Sequence, residues 1–155
     1  MNLFDDVGSH LTGLEQLRAL QAGGRRSPFA DLLDMRLVEV DAGRVVIEST
    51  ASNATLNTHG TAHGGFIASL LDSACGLATV SKLGANQHST TLELKISYHR
   101  AITSDAGVIR AEGVVVSIGR RVAFAEARLR DASGRLAATA TSTLLVMERT
   151  QGRVG

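Results

Sequence analysis

The 155-residue chain is one domain long and can bury a core without disulfides or metals as crosslinks. A net charge of +1, 3% aromatic residues and one cysteine exclude a basic nucleic-acid binder, an aromatic stacking platform and a disulfide framework. No apolar run approaches the about 18 residues of a membrane span, and Asp5 and Asp6 are unlike the basic start of a signal peptide. We therefore expect a cytoplasmic protein that binds neither nucleic acid nor membranes.

The first half of the chain predicts a helix followed by a β-hairpin. Residues 9–22 favour an amphipathic helix, because their leucines recur at helical spacing and a Gly-Gly pair follows. Pro28 fixes the next turn. Apolar residues then recur at every second position, and this pattern predicts a hairpin of residues 35–40 and 44–50 around an Asp-Ala-Gly turn.

The second half predicts strands. Residues 89–100 alternate, which places Leu92 and Leu94 on one face and Thr91 on the other. Tyr98 shares the face of Leu92. Three further strands form a meander, at residues 107–118, 121–130 and 135–147.

Residues 64–82 interrupt the β pattern with a helix whose apolar side chains cover half of the wheel. The polar side holds Ser69, Asp72, Gly76 and Thr79. This order predicts an α+β fold, in which a curved antiparallel sheet wraps around one long helix. We divide the chain into an N-terminal helix and linker (1–26), a main domain (27–148) and a C-terminal tail (149–155).

The densest polar cluster, residues 57–65, ends where this helix begins. Its two last glycines leave backbone N–H groups unshielded at a helix N-terminus, which favours a negatively charged or polarised oxygen. A tight turn that needs glycine explains them equally well. Asp72 has two readings as well: an exposed helical acid, or a carboxylate that faces a partner and has a function.

Other motifs carry weaker signals. His59 and His63 lie four residues apart, but no second metal-ligand motif accompanies them, so we expect no metal. The sequence has no GxSxG elbow for a nucleophilic serine, and Cys75 falls on the apolar arc, where an inert thiol is expected. The adjacent Arg120 and Arg121 lie between two predicted strands. They either bind phosphate groups or belong to a solvent-exposed turn.

One motif resembles the signature of hotdog-fold acyl-CoA thioesterases of the phenylacetic-acid-degradation (PaaI-like) type, in the 4-hydroxybenzoyl-CoA thioesterase superfamily. It comprises Asn57, Gly60, His63-Gly64-Gly65 and Leu71-Asp72. The resemblance extends over residues 27–147. It implies a homodimer or homotetramer, with each site built from the His-Gly-Gly loop of one subunit and the Asp of the other. It also implies an acyl-CoA substrate and no cofactor.

The resemblance implies a role for each matching residue. The Gly64 N–H would polarise the thioester carbonyl, and Asp72 would act as general base or nucleophile. Asn57 would hold the carbonyl or the attacking water, and His63 would position the loop. Thr91 matches a position where relatives often keep a hydroxyl near that water.

The substrate-binding residues implied by the resemblance lie in two loops. Gly65 belongs to the His-Gly-Gly loop. Gly119, Arg120 and Arg121 fall where relatives can contact the phosphates of coenzyme A outside the cleft. The small residues on the predicted faces suggest room for an aryl or medium-length acyl group.

Two alternatives to hydrolysis stay open. One is a hotdog hydratase or dehydratase, which uses a differently arranged His and acid. The other is a non-catalytic domain that binds acyl-CoA, although pure binding needs neither Asn57 nor Asp72. Release of free thiol from acyl-CoA distinguishes hydrolysis from both.

Overall fold

A computed structural model gives the structure of residues 2–149. Three helices come first: α1 (Leu3–Gly8), α2 (Gly13–Ala22) and α3 (Pro28–Leu32). The hairpin β1 (Arg36–Asp41) and β2 (Arg44–Thr50) leads through a 3₁₀ turn to α4 (Gly64–Val80). The remaining strands are β3 (Gln87–Tyr98), β4 (Val108–Ile118), β5 (Val122–Arg130) and β6 (Leu136–Glu148). Of the predicted tail, residues 150–155 lie outside the described residues.

The six strands form one antiparallel sheet in the order β1-β2-β4-β5-β6-β3, and α4 packs against its inner face. The predicted α+β fold, a curved antiparallel sheet around one long helix, is confirmed. The hairpin and the β4-β5-β6 meander are also as predicted. No helix within residues 2–149 is both long and apolar enough to cross a bilayer.

Small residues let α4 approach the sheet closely. A Cβ added to Gly113 of β4 would lie 2.1 Å from the carbonyl oxygen of Ala74 in α4, so only glycine fits there. Alanines occupy much of the same inner face, and those at 111, 125 and 127 are almost fully buried. The short helix–sheet distance therefore follows directly from the small-residue composition.

The N-terminal segment contains more helix than its sequence pattern predicts. Thr12 and Glu15 form a capping box that starts α2 later than residue 9. Pro28 does not merely fix a turn but opens α3, because proline suits the first turn of a helix and Ser27 caps it. Leu17 of α2 is fully buried in the same core as α4.

Strand β3 corrects the predicted alternation. Thr91 pairs with Leu144 and Glu93 with the neighbouring Thr143, so Leu92 is the extra residue of a β-bulge. Leu92 is 59% exposed, whereas Leu144 is buried in the core beneath α4. The prediction that Thr91 lies on the face opposite to Leu94 is wrong, because the bulge turns Thr91 towards the helix.

The polar side of α4 is narrower than predicted. Thr79 is fully buried, and its hydroxyl donates to the carbonyl oxygen of Cys75 one turn earlier. Asp72 is half-buried, as are Ser69 and Gly76. The polar strip that remains runs from Gly65 to Gly76, alongside the edge strand β3.

Candidate active site

Asn57 organises the loop that leads to α4. Its amide oxygen accepts hydrogen bonds from the N–H groups of His59 (2.9 Å) and Thr61 (3.2 Å), and its amide nitrogen donates to the Thr61 hydroxyl (2.9 Å). These bonds occupy the oxygen and one of the two N–H groups of the amide. The predicted contact of Asn57 with substrate or water therefore depends on its other N–H, and it stays a prediction.

His63 caps α4 and uses up most of the donors of its first turn. The His63 Nδ1 accepts from the Gly65 N–H at 2.8 Å, and the His63 carbonyl oxygen accepts from Phe66 (3.0 Å) and Ile67 (3.2 Å). The N–H of Gly64 has no acceptor among residues 2–149. One backbone donor thus stays free at the positive end of the helix dipole.

Tyr98 holds the same turn from the sheet, a contact that sequence reasoning missed. Its hydroxyl donates to the carbonyl oxygen of Gly64 at 2.8 Å. The side chain is 52% exposed at the end of the edge strand β3. The predicted alternation groups Tyr98 with Leu92 and Leu94 but gives no partner for its hydroxyl, because a partner on another element leaves no local signal in the sequence.

Asp72 lies on the polar strip of α4 and is joined to the edge strand. The Thr91 hydroxyl donates to Asp72 Oδ1 at 2.9 Å. The bulge at Leu92 makes this contact possible, because it turns Thr91 towards the helix. A carboxylate held by one donor keeps its other oxygen free for a proton or a carbonyl carbon.

Asp72 and Thr91 also line a cavity of about 300 Å³ between α4, the hairpin and the N-terminal helices. Its other walls are mostly apolar and include Phe4, Leu20 and Met35. A largely apolar pocket with a few convergent polar groups is the usual form of a small-molecule site.

Cys75 lies among the buried residues of α4, as predicted. Its thiol is buried, and that burial, helped by the nearby Asp72 carboxylate, raises its pKa to about 12. The reactive thiolate is therefore negligible at neutral pH. Burial and the raised pKa both agree with the predicted inert thiol.

The Gly119-Arg120-Arg121 turn links β4 to β5, as predicted. It is closed by a hydrogen bond from the Gly119 N–H to the Val122 carbonyl oxygen at 2.8 Å. Both arginines are exposed, and neither forms a salt bridge within the described part of the chain. Thr91 lies about 12 Å from Arg121, two strands across the sheet and two residues along.

The predicted residues form three groups. Asn57, His63, Gly64 and Gly65 meet at the start of α4, Asp72 meets Thr91, and the two arginines stand apart. Eight residues of one helix separate Gly64 from Asp72, which is about 12 Å. Within residues 2–149, no group of three or more His, Cys, Asp and Glu side chains is arranged to hold a metal.

Comparison with known proteins identifies the family. The family model described as the thioesterase superfamily matches residues 59–138, from the loop before α4 to β6. The chain belongs to the thioesterase superfamily. A candidate esterase of Saccharolobus solfataricus is 30% identical over 74% of this thioesterase-superfamily chain and 80% of the relative.

Solved structures agree with this family assignment. A mutant form of the phenylacetic acid degradation protein PaaI from Thermus thermophilus is 28% identical and has a TM-score of 0.71. That alignment covers 80% of this chain and all of the other. A hypothetical thioesterase of Streptococcus pneumoniae, solved with coenzyme A, is 29% identical with a TM-score of 0.68 and covers 75% and 88%. The predicted PaaI-like hotdog type is thereby confirmed.

Proposed function

We propose that the protein hydrolyses acyl-CoA thioesters at a site where Gly64 and Asp72 act on one carbonyl group. The observation that carries this proposal is that the Gly64 N–H is free, whereas the next three N–H groups of the helix all donate hydrogen bonds to His63. A preorganised donor at a helix N-terminus stabilises the oxyanion that develops when a thioester is attacked. Asp72 supplies the second requirement, a carboxylate fixed by a hydroxyl donor.

The proposed site is shared between two copies of the chain. Gly64 and Asp72 of one chain are about 12 Å apart along α4, whereas both must come within about 3 Å of the reacting atoms. A second copy with its helix antiparallel would bring its Gly64 to this Asp72, and the reverse. Strand β3 supports such pairing, because it is a 12-residue edge strand that runs beside the polar strip and carries two exposed large hydrophobic residues, Leu92 and Tyr98.

The chemistry needs only this carboxylate, the donor and water. As a general base, Asp72 takes a proton from water while the water oxygen attacks the carbonyl carbon. The resulting oxyanion accepts a hydrogen bond from the Gly64 N–H. The carbon–sulfur bond then breaks, and the coenzyme A thiolate leaves and takes up a proton. As a nucleophile, Asp72 attacks the carbon itself, the carbon–sulfur bond breaks and the coenzyme A thiolate leaves, and water then hydrolyses the mixed anhydride to the free acid and the Asp72 carboxylate.

The coenzyme A portion is assigned to the β4–β5 turn. Arg120 and Arg121 have no carboxylate partner among residues 2–149, so their guanidinium groups remain able to bind phosphate oxygens. Their distance of about 12 Å from Thr91 leaves space for the arm between thioester and phosphates. Coenzyme A in the similar Streptococcus pneumoniae protein agrees with this substrate class.

Substitution of the oxyanion donor tests the proposal. Gly64→Pro removes the N–H at the first helical position, where proline is well tolerated, and His63 already has the extended backbone that precedes a proline. We expect kcat for acyl-CoA to fall by about 10²–10³. Asp72→Asn should lower kcat by about 10²–10⁴. A chromogenic thiol reagent measures both, with melting temperatures from the same preparations.

Gly64→Ala is the matched control for the proline. It adds a Cβ near the Tyr98 hydroxyl, at 3.2 Å, but keeps the N–H. A loss of kcat as large in Gly64→Ala as in Gly64→Pro would contradict the oxyanion role. Near-normal turnover in folded Asp72→Asn would contradict the role of the carboxylate. No thiol release from any acyl-CoA by the wild type would leave a binding protein or a hydratase instead.

A further inference from the structure

We propose that the cavity beside Asp72 is an acyl pocket for an uncharged, apolar acyl group of medium length, and that Gly76 and the N-terminal helices set its size. This inference rests on the proposed thioester hydrolysis, and it names the substrate class of that site. Three observations carry it: the composition of the walls, the pairing of the nearby charges, and a helical glycine without a packing reason.

The cavity walls come largely from the N-terminal helices. Phe4 of α1, Leu17 and Leu20 of α2 and Phe29 of α3 line the cavity together with Leu77 of α4. Residues 59–138, the part of the chain that the family model matches, include none of α1, α2 and α3. The inner end of the pocket therefore lies within the part of the chain that the thioesterase family model matches, whereas much of its outer wall lies outside that part.

The position of these helices is fixed by several contacts. A Cβ on Gly13 of α2 would lie 1.9 Å from the Val80 carbonyl oxygen, so α2 sits directly against the end of α4. Gln16 donates its side-chain amide to the carbonyl oxygens of Phe4 and Gly8 and thereby joins α1 to α2. A preformed wall of this kind can discriminate between acyl lengths.

The charges at the cavity argue against a charged acyl group. Arg25 pairs with Asp6 at 3.0 Å, and Arg26 pairs with Asp31 and Asp34 at 2.7 and 3.3 Å. Both guanidinium groups that line the cavity are thus neutralised by protein carboxylates. An acyl chain that ends in a carboxylate would find no unpaired cation among the described cavity-lining residues. It would also be repelled by the negative charge of Asp72.

Gly76 is unexplained by the packing of the chain. A glycine inside a helix costs about 0.5–1 kcal/mol relative to alanine. A Cβ added at Gly76 would have no neighbouring atom within 4 Å, whereas one added at Gly13 or Gly113 would collide with backbone. It lies one helical turn after Asp72 and lines the cavity. The missing side chain therefore keeps space open next to the carboxylate, where the first carbons of the acyl chain would lie.

The cavity volume bounds the length of the acyl group. At about 300 Å³ it is twice the size of an engineered apolar cavity of about 150 Å³ that binds benzene. Two such six-carbon volumes, less the space that imperfect packing leaves empty, accommodate an acyl group of roughly eight to ten carbons. Octanoyl-CoA is the probe that fits this estimate, with acetyl-CoA and succinyl-CoA as the short and the charged comparison.

The test compares kcat/KM for these three substrates in the wild type and in Gly76→Val. We expect the wild type to prefer octanoyl over acetyl and succinyl, and Gly76→Val to lower the octanoyl-to-acetyl ratio by about tenfold or more. Ala22→Val adds apolar bulk to an exposed end of α2 outside the cavity and should leave that ratio unchanged. A wild type that hydrolyses succinyl-CoA as well as octanoyl-CoA would overturn the proposal.

A binding measurement separates this proposal from the function beneath it. S-octyl-CoA and S-ethyl-CoA are thioethers that cannot be hydrolysed, and we expect S-octyl-CoA to bind more tightly to the wild type, with the difference lost in Gly76→Val. That result without any hydrolysis would contradict the proposed function and support the pocket. Equal binding of both thioethers, or dissociation of an oligomer by Gly76→Val, would instead assign the space beside Gly76 to a second copy and overturn the pocket.

Discussion

Among residues 2–149, the carboxylate of Asp72 has one hydrogen-bond donor, the hydroxyl of Thr91, at 2.9 Å. That single contact decides which way the carboxylate points, because the rest of its surroundings on α4 are small residues and open space. Thr91 is therefore a positioning residue in our proposal, and it acts on the substrate only through Asp72.

Thr91→Val keeps the shape of the side chain and removes the hydroxyl. A hydrogen bond to a charged group contributes about 1.5–3 kcal/mol, so kcat should fall by roughly ten- to a hundredfold. KM should change little, because the loss affects the chemical step rather than substrate binding. Steady-state kinetics with octanoyl-CoA measure both constants.

Thr91→Ser is the conservative control and should recover most of the lost kcat, since it restores the hydroxyl. Recovery by serine would not be expected if Thr91 only filled space in the sheet. A valine variant with wild-type kcat would show that Asp72 does not depend on this donor.

At the scale of residues, sequence spacing predicted the position of the candidate side chains on one helix but not the hydrogen bonds that hold them. The motif from Asn57 to Asp72 places its candidate residues at the start of one helix and along its polar side, because those residues are close in sequence. The bonds from Thr91 to Asp72 and from Tyr98 to Gly64 join residues that lie 19 and 34 positions apart. Such contacts depend on the bulge and on the packing of β3 against α4, and neither leaves a local pattern.

Among the elements, the turn between β5 and β6 depends on one buried carboxylate. Asp131 Oδ1 accepts from the Ser133 hydroxyl at 2.6 Å and from the N–H groups of Ser133 and Arg135, both at 3.0 Å. Its other oxygen accepts from the Arg135 guanidinium at 2.8 Å. These donors, the Ser133 hydroxyl first, lower the pKa of Asp131 to about 2.

This shift predicts how stability depends on pH. Because the folded-state pKa lies below the unfolded value of about 3.9, ionised Asp131 stabilises the fold above that value. The stabilisation is lost as the pH falls from about 4 through 2. Urea unfolding of the wild type and Asp131→Asn should give a difference in unfolding free energy that is largest at pH 5 and above and shrinks towards pH 2. A difference that stays constant from pH 7 to pH 2 would contradict this assignment.

The elements also show where sequence patterns stop being informative. The meander and the hairpin follow from alternation and turn residues, and their predicted bounds are correct to within about one or two residues. The helices α1 and α3 span only six and five residues, too short for a periodic pattern to reveal. The sequence pattern does not reveal the bulge in β3 either, since one extra residue changes the phase of the alternation without changing the composition of the strand.

At the scale of the whole molecule, the proposed site requires two chains, and this requirement can be tested by mixing. In a heterodimer of Asp72→Asn and Gly64→Pro, one of the two sites would combine an intact Gly64 from one chain with an intact Asp72 from the other. Random pairing of two nearly inactive variants should therefore restore about a quarter of the wild-type activity.

The measurement is thiol release from octanoyl-CoA after subunit exchange, with differently tagged chains to verify that heterodimers form. Each variant taken through the same exchange alone is the control and should stay nearly inactive. Verified heterodimers without recovered activity would show that Gly64 and Asp72 do not act across an interface.

The overall architecture was more predictable than the assembly. One interrupted β pattern with a single long helix allows few packings, because the apolar half of α4 must be covered by the sheet. The pairing of chains has no such local constraint, and it entered the sequence interpretation only through the resemblance to PaaI-like thioesterases. The 12 Å between Gly64 and Asp72 now gives it a physical reason within this chain.

The close fit of Gly113 against α4 has a consequence for how this protein can diverge during evolution. A larger residue at 113 collides with the backbone of α4, and the neighbouring alanines are buried in the same core. Selection for folding therefore removes most mutations at these positions. The outer cavity wall formed by α1 and α3, which have no fully buried residue, tolerates change far better. New acyl preferences in this lineage should therefore arise from drift in the N-terminal helices, and a directed-evolution library there should retain more folded members than one in the sheet.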